Sequence, residues 1–493
     1  MRRSCGVGAL VLVAALGSLS TGCVAPDGQV GTKGPGTGIG AVVGFEEVWA
    51  KSFGYELDPN TNQRTNDVAV SRDGQVLVVA MEFEGGIKDA DLTTDPHYGL
   101  GKSDLLIAAY KADGSAPLWA RRVGDTEKQE APSIAIDSSN NVIVAGGFES
   151  YLDFENNLVV QSKGAMDAFV AKLDATGKAV WVRGYGDMGT EFVTDVAVDA
   201  SGNVIIVGFT NGKIDFGGGD VPSAANDDIF VAKLSPAGEH LWGQRIGKAG
   251  SYGLNEPTVS VGVMSDGRVV VAGFAGEELK VPNLDLPDRG DKTAFLVMFD
   301  SEGNGKWGKT WGATNAAQRL FGLSVSPSGA IAIAGDMQGT ISFSGDKNDN
   351  FASGSDRDVF VAVFDDRGAH KWSQGFGSLG TQTAWDVAFD TDDNLFVAGE
   401  FSGAIELHGE DTVLNASVAD TPTDAFVVQF DPTGEALRAK GYGRNESQNA
   451  RAIAVDGAGN AYVGGFFRGN IDFTGKTLTS TGGEDAFILE LSP

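Results

Sequence analysis

The stretch DAFVAKLDATGKAVW (167–181) decides the fold, because it returns in altered form elsewhere in the chain. Two of its copies are DIFVAKLSPAGEHLW (228–242) and DVFVAVFDDRGAHKW (358–372). A recurring stretch is either a site used several times or a structural part whose repetition builds the fold. The flanking sequence distinguishes these alternatives, since it repeats as well.

Four short elements return in a fixed order. The first ends in a Trp followed five residues later by a Gly, as in VWVRGYG (180–186), but Arg438 replaces the Trp in LRAKGYG (437–443). The second is of the type DVAVD (195–199), the third, NVIIVGF, follows it closely, and the fourth is the opening stretch. Each occurs seven times between residues 48 and 493, in units of about 64 residues. Four strands in each unit are typical of a propeller blade.

The residue types predict how the strands lie. The elements are rich in β-branched and aromatic residues and are apolar on both faces, which indicates sheets buried between two neighbours. Every copy of the second element has a small residue at its centre, which favours the innermost position, where blades converge. These residues are Ala69, Ala135, Ala197, Gly262, Ser324, Ala388 and Ala454.

The turns predict the order of the strands. In DASGN (199–203) and DATG (174–177) an Asp caps a tight turn and a Gly takes a left-handed conformation. The order is then innermost, second, third and a Trp-bearing outermost strand. The chain begins on an outermost strand (48–54) and ends on a third strand (485–491), so its two ends should pair. The predicted fold class is all-β: a seven-bladed β-propeller of four-stranded antiparallel blades, closed by pairing of the N-terminal outer strand with the last blade.

The combined pattern DVAVDASGNVIIVGF…DAFVAKLDATGKAVW is similar to the seven-bladed β-propeller (SBBP) repeat family of bacterial exported proteins. The resemblance covers residues 48–493 and implies the propeller fold. It implies no particular activity, because propellers carry many functions.

The N-terminus has the layout of an export signal. Residues 1–22 contain two arginines, an apolar stretch and small residues before Cys23, and LSTGC (19–23) resembles the lipobox of bacterial lipoproteins. Cys5 would leave with the leader, so lipid attachment is the natural role of Cys23. The alternative is an ordinary signal peptide cut nearby.

We therefore predict a lipoprotein signal peptide (1–22), a lipidated cysteine with a Gly/Pro-rich tether (23–44) and a propeller (45–493). The predicted location is the bacterial cell envelope, with a lipid anchor at the outer membrane or cell surface.

The formal net charge of −29 excludes some partners. So acidic a surface repels nucleic acid and anionic lipid, and it suits solubility or the binding of cations and basic proteins.

No cofactor or metal site is predicted. The Asp that opens the fourth element in six copies is expected to cap backbone donors instead of forming a metal-binding ring: Asp104, Asp167, Asp228, Asp358, Asp424 and Asp485. DTDDN (390–394) has calcium-loop spacing but lacks the required Gly and closing Glu, so a turn is expected. Calcium bound by other acidic loops stays an alternative.

No catalytic site is predicted either. The four histidines, at 97, 240, 370 and 408, show no metal or acid–base spacing, and no Ser or Cys nucleophile signature occurs. Trp385 is the only tryptophan outside the repeat register, and we place it in a loop before an inner strand. It is the candidate ligand contact, stacking on a sugar or peptide at the channel mouth; the alternative is packing beneath its own loop.

Function is predicted to reside in long, dissimilar loops opposite the tight turns, such as 84–102 and 402–422. Many of these loops contain an apolar I-D-F-like hook that should pin the loop to its blade. The predicted function is a non-catalytic envelope lipoprotein that acts as a protein-interaction or scaffolding module, and a monomer is expected. Its partner would be an envelope protein or an extracellular glycan. The alternatives are a carbohydrate-binding adhesive protein and a hydrolase or lyase with carboxylates at the channel mouth.

Overall fold

The structure is a computed structural model that describes residues 43–54, 61–88, 97–99, 101–154, 157–221, 228–248, 259–276, 279–287, 293–312, 317–345, 351–353, 356–377, 380–407, 412–417 and 422–493. The predicted signal peptide, Cys23 and most of the predicted tether lie outside the described residues. Within the described ranges, no helix has the length and hydropathy to cross a membrane.

Seven four-stranded antiparallel sheets form blades 1 to 7, numbered along the chain. The innermost strands are Gln63–Val70, Gln129–Ile136, Glu191–Val198, Val259–Val263, Ala317–Val325, Gln382–Phe389 and Gln448–Val455. The second strands are Val76–Phe83, Val142–Phe148, Val204–Thr210, Val269–Ala275, Ile331–Gln338, Leu395–Phe401 and Ala461–Phe467. The third strands are Asp104–Lys111, Asp167–Leu173, Asp228–Leu234, Thr293–Phe299, Asp358–Phe364, Asp424–Phe430 and Asp485–Leu491. The outermost strands of blades 1 to 6 are Pro117–Val123, Ala179–Tyr185, His240–Lys248, Gly305–Trp311, His370–Phe376 and Ala436–Tyr442.

The blades form a closed ring. Each innermost strand contacts the innermost strands of both neighbouring blades, and this contact includes blade 7 against blade 1. The second strand Val204–Thr210 and the third strand Asp167–Leu173 are buried at every position. The predictions of innermost strands and of sheets covered on both faces are therefore confirmed.

Blade 7 is completed by the N-terminal strand Glu47–Phe53. This strand pairs antiparallel with Asp485–Leu491, so that Ala50 lies opposite Leu489 and Phe53 opposite Ala486. The side chain of Phe53 is fully buried. The predicted closure of the ring by the two ends of the chain is confirmed, and the protein is an all-β seven-bladed propeller.

The tight turns have the predicted chemistry. The Asp199 carboxylate accepts the backbone N–H groups of Ser201 and Asn203 at 2.9 Å, and Gly202 has a φ of +78°. In DTDDN (390–394), Asp390 accepts the N–H groups of Asp392 and Asn394 in the same way, which confirms the turn. We call the end of the propeller that carries these turns the tight-turn face, and the opposite end the long-loop face.

Each rim tryptophan holds the hairpin turn of the next blade. The indole N–H of Trp181 in blade 2 donates to the carbonyl of Pro236 in blade 3 at 3.1 Å, and the ring lies against Gly238, which has a φ of +75°. Four other tryptophans donate to the next turn in the same way: Trp49, Trp119, Trp242 and Trp307.

The exception, Arg438, follows from the ring closure. Its neighbour, blade 7, has no turn between third and outermost strands, because the two termini meet there. The guanidinium of Arg438 donates instead to the carbonyl of Ser492, just past the last strand, at 3.0 Å. The one departure from Trp in the rim series thus coincides with the one missing turn.

Short hairpins occupy the long-loop connections of six blades. They pair Gly86–Ile87 with His97–Tyr98, Tyr151–Asp153 with Val159–Gln161, Ile214–Asp215 with Asp220–Val221, Thr340–Ile341 with Phe351–Ala352, Ala404–Leu407 with Thr412–Asn415, and Asn470–Phe473 with Lys476–Thr479. Their apolar hooks are buried. Phe216, for example, lies 5.2 Å from Phe230 of its own blade and 5.0 Å from Tyr185 of the preceding blade. The hooks pin the loops to their own blades, as expected, and also wedge against the neighbour.

Candidate functional site

A cavity of about 360 Å³ opens on the propeller axis at the long-loop face. The first halves of the innermost strands and the ends of several second strands line it. We call this cavity the channel mouth. It is a compact pocket of the size that small ligands occupy in proteins.

A β-bulge in the innermost strand shapes the channel mouth in five blades. In each, one residue is left out of the pairing with the second strand, and its side chain lines the cavity. These bulge residues are Asn66, Thr194, Phe321, Trp385 and Arg451. Their chemistry is mixed, so the repeat supplies one geometry and each blade a different side chain.

The residue after the bulge is an aspartate in three blades, and it joins two blades together. Asp67 accepts the N–H of Val68 through one carboxylate oxygen at 2.7 Å and the N–H of Ile134 in blade 2 through the other at 2.8 Å. Asp195 and Asp386 bond in the same way to blades 4 and 7. Since both oxygens of each carboxylate accept backbone donors, these groups act as latches between blades.

The latches are linked on one side of the ring. Ser133 in blade 2 lies within hydrogen-bond distance of Asp67, at 3.1 Å, and of Asp195, at 3.0 Å. Burial raises the pKa of Asp67 to about 7 and that of Asp195 to about 6, although the backbone donors oppose this shift. Burial also raises the pKa of Asp386, and the charges of the other two aspartates add to the effect. Raised carboxyl pKa values at the channel mouth are the feature that the hydrolase or lyase alternative requires.

The raised pKa of Asp67 leads to a pH-dependent prediction. The folded protein keeps a proton on Asp67 that the unfolded chain, with its ordinary value of 3.8, releases at lower pH. The contribution of Asp67 to the free energy of unfolding is therefore largest below pH 4, where the carboxyl is protonated in both states. It is lost as the pH rises toward 7, because the unfolded chain releases the proton first. Asp67→Asn cannot titrate, so the stability of the wild type relative to this variant should fall by about 2 kcal/mol between pH 5 and pH 8.

Denaturant unfolding at the two pH values measures this change. Asp113→Asn is the matched control, because Asp113 is an exposed turn carboxylate whose pKa is lowered by hydrogen bonds from Ser115. A stability difference between wild type and Asp67→Asn that stays constant with pH would contradict the prediction.

Trp385 lies inside the innermost strand of blade 6, Gln382–Phe389, and the prediction that it sits in a loop is wrong. It is 6% exposed and is covered from both flanking blades. Phe321 of blade 5 lies 4.5 Å from it between ring centroids, and the guanidinium of Arg451 in blade 7 lies 3.6 Å from its ring centroid. The indole N–H has no hydrogen-bond partner among the described residues. Its role as a ligand contact stays a prediction.

The cation–aromatic contacts continue around the ring. Arg451 also lies 5.7 Å from the ring centroid of Phe466, and the guanidinium of Arg64 in blade 1 lies 5.0 Å from the same ring. Each such contact contributes about 0.5–1 kcal/mol at exposed sites and more where water is excluded. The wall formed by blades 5, 6, 7 and 1 is therefore a continuous series of aromatic rings and guanidinium groups in contact with one another.

The opposite wall combines the stacked rings of Phe192 and Phe209 with charged and polar side chains. Lys128 forms an ion pair with Glu130. Arg64, at the boundary between the two walls, pairs with Glu484 at 2.5 Å. Among the described residues, no group of three or more His, Cys, Asp or Glu side chains could hold a metal ion.

Sequence reasoning missed a buried glutamine or glutamate near the start of the innermost strands. Gln448, for example, donates its amide to the carbonyls of Arg468 and Asn470 and so ties the long loop of blade 7 to the axis. The equivalent side chains are Gln63, Gln129, Glu191, Gln318 and Gln382, all fully or almost fully buried. Each of these side chains lies four residues before the residue that follows the bulge, as Gln63 lies before Asp67. This constant spacing was a signal that could have revealed them.

The repeated Asp of the third strands has two different roles. Asp167, Asp424 and Asp485 accept backbone N–H groups at 2.6 to 3.1 Å, as expected of capping residues. Asp104 and Asp228 form ion pairs with Arg122 and Arg245 of the outermost strand. The capping prediction is confirmed for Asp167, Asp424 and Asp485, and for the other three aspartates it stays a prediction.

The two histidines whose side chains the structure describes lie in different blades. His240 and His370 begin the outermost strands of blades 3 and 5, at the rim and away from the channel mouth. His408 lies outside the described residues.

Comparison with known proteins gives distant likenesses. No protein-family model matches the chain, so the resemblance to the SBBP repeat family rests on the repeat pattern alone. An uncharacterized WD repeat-containing protein of Acanthamoeba polyphaga mimivirus is 22% identical over 461 residues, covering 76% of this chain and 32% of the relative. The regulatory protein FlaEY of Caulobacter vibrioides is 24% identical over 395 residues, covering 74% of this chain and 40% of the relative. The chain thus spans well under half the length of either relative.

Solved structures similar to this chain include the β-propeller domain of the Trilobed protease from Pyrococcus furiosus. It is 10% identical with a TM-score of 0.35, covering 75% of this chain and 90% of that one. A gluconolactonase from Xanthomonas campestris is 13% identical with a TM-score of 0.31, covering 74% of this chain and 96% of that one. The class of the protein, a seven-bladed β-propeller, follows from its own sheet topology.

Proposed function

We propose that this protein is a non-catalytic interaction module of the bacterial cell envelope, attached to the membrane by lipid on Cys23, which binds a partner protein through its long-loop face. The observation that carries the proposal is the direction from which the chain enters the propeller. Glu47 pairs with Leu491, the last residue of a third strand that runs toward the tight-turn face. The segment leading to the predicted anchor thus leaves at the tight-turn face.

Residues before Glu47 strengthen this arrangement. The backbone N–H of Val43 donates to the carbonyl of Leu437 at 3.4 Å, and Ala439 donates to the carbonyl of Val43 at 3.1 Å. The chain is thereby fixed to the start of the outermost strand of blade 6, near the tight-turn face. A membrane anchor on this side would leave the long-loop face directed away from the membrane.

The non-catalytic part of the proposal is supported by the latches. Asp67, Asp195 and Asp386 use both carboxylate oxygens to hold backbone N–H groups of adjacent blades. A general acid or base has to exchange a proton with its substrate, which these bonds would impede. The relatives named as a WD repeat-containing protein and a regulatory protein are compatible with an interaction role. With a net charge of −29, the partner should carry a basic surface.

The test is a crosslinking pull-down from native membranes with the intact lipidated protein. The double variant Glu406→Lys/Glu446→Lys reverses two exposed charges on the long-loop side, and Asp113→Lys/Glu302→Lys makes the same charge change at exposed positions on the tight-turn face. We expect one envelope protein to be enriched by the wild type and the tight-turn variant and reduced about tenfold with the long-loop variant. Equal recovery by all three proteins would contradict the proposal.

A further inference from the structure

The channel mouth has a hydrogen-bond donor that the protein itself leaves unused. The side chain of Trp385 is only 6% exposed and lines the cavity. Its indole N–H has no hydrogen-bond partner among the described residues. A buried donor without an acceptor costs about 1–3 kcal/mol, so such groups normally have a purpose. An acceptor atom of a bound molecule would satisfy it.

The bulge geometry explains why this donor is at the axis. In an uninterrupted strand, Trp385 would continue the alternation of side chains between the two faces of blade 6. The bulge between Ala384 and Asp386 takes Trp385 out of the pairing, and Phe321 and Arg451 occupy the equivalent bulges of the two flanking blades. With both neighbours against the ring, the buried indole N–H is the polar atom of Trp385 that lacks a partner among the described residues.

The charges around the cavity favour a neutral ligand. Apart from the latch aspartates, the lining carries three cationic side chains, Arg64, Lys128 and Arg451, and three glutamates, Glu82, Glu84 and Glu130, so their formal charges cancel. Neither an anion nor a cation would therefore meet an excess of the opposite charge. A cation is further disfavoured because the oxygens of the latch aspartates already accept backbone donors.

The polar groups of the lining that remain are uncharged, and they include both hydrogen-bond donors and acceptors. The indole N–H of Trp385 lacks an acceptor among the described residues, the amide of Asn66 can donate and accept, and the hydroxyl of Thr194, which donates to the carbonyl of Val259, can still accept. Hydroxyl groups, which are both donors and acceptors, match such a set better than carboxylates, phosphates or amines do. The cavity volume of about 360 Å³ accommodates one or two sugar rings.

We propose that the channel mouth is a binding site for a neutral carbohydrate of one or two rings, with the edge of Trp385 as the hydrogen-bonding contact. The site is separate from the outer long-loop surface offered to a protein partner. Its test is therefore independent of the pull-down, and either proposal can fail alone.

The experiment is isothermal titration of the full-length protein with N-acetylglucosamine, galactose and maltose as neutral probes. Glucuronate and glucosamine serve as the charged counterparts. We expect saturable one-site binding of at least one neutral sugar and weaker or no binding of the charged ones. Binding of only charged sugars, or no saturable binding of any neutral sugar up to about 10 mM, would overturn the proposal.

The variant Trp385→Phe locates the site, since it keeps an aromatic ring between Phe321 and Arg451 and removes only the N–H. It should weaken sugar binding by about tenfold. Trp119→Phe is the matched control, because it removes the same donor from a rim tryptophan that holds Ala175 at the far side of a blade. Unchanged affinity in Trp385→Phe, or an equal loss in both variants, would show that the channel mouth is not the site.

Discussion

Deletion of residues 44–54 is expected to lower the melting temperature by about 5 °C. The strand removed fills the outermost position of blade 7, and its loss exposes the edge of Asp485–Leu491. It also removes the fully buried ring of Phe53 and the buried side chains of Phe45 and Ala50. Burial of a large apolar side chain is worth about 1.5–3 kcal/mol, so the total is about 5 kcal/mol, and each kcal/mol shifts the melting temperature by about 1 °C in a propeller of about 450 residues.

Differential scanning calorimetry of the deletion and of a matched control measures this effect. The control removes residues 31–41, a stretch of equal length from the predicted tether. The exposed strand edge should also make the first variant prone to association. A synthetic peptide of residues 44–54 added in trans should restore part of the lost stability. An unchanged melt for the deletion would show that the two ends do not hold the ring closed.

The fold could be predicted from the sequence because the same pattern of strands and turns occurs seven times. Seven copies of a turn such as DASGN (199–203), each next to an apolar run, specify the same strand order seven times. The role of each Trp could be recognised only in part. That Arg438 replaces a Trp was visible in the sequence, but the reason, a missing turn in blade 7, required the closed ring.

The channel mouth could not be predicted by the same reasoning. Its wall is built from bulge residues, which occupy equivalent positions but differ in every blade, whereas a search for repeats detects what the copies share. Trp385 was placed in a loop because the recognised motif began one residue later, at Asp386, although the strand begins at Gln382. The bulge between these two halves hides the continuity of the strand, since it interrupts the alternation of side chains.

Replacement of a rim tryptophan by alanine is expected to destabilise the propeller by about 3–5 kcal/mol. Trp181→Ala is the most informative change, because Trp181 is 6% exposed and belongs to a complete blade far from the ring closure. The variant loses the packing of the indole on Gly238 and the hydrogen bond to the carbonyl of Pro236. Both contacts cross from blade 2 to blade 3, so their loss weakens the ring at one junction.

Two further variants separate packing from hydrogen bonding at this junction. Trp181→Phe keeps most of the ring and loses the N–H, so it should cost about 1 kcal/mol. Gly238→Ala should be destabilising as well, because the added Cβ would lie 3.1 Å from the Trp181 ring and the residue has a φ of +75°. Urea unfolding of the three variants and of Trp181→Ala/Gly238→Ala provides a double-mutant cycle. If the Gly238→Ala penalty is the same with and without Trp181, the two residues are not coupled, and the rim tryptophans do not stabilise the ring by holding the turn of the next blade.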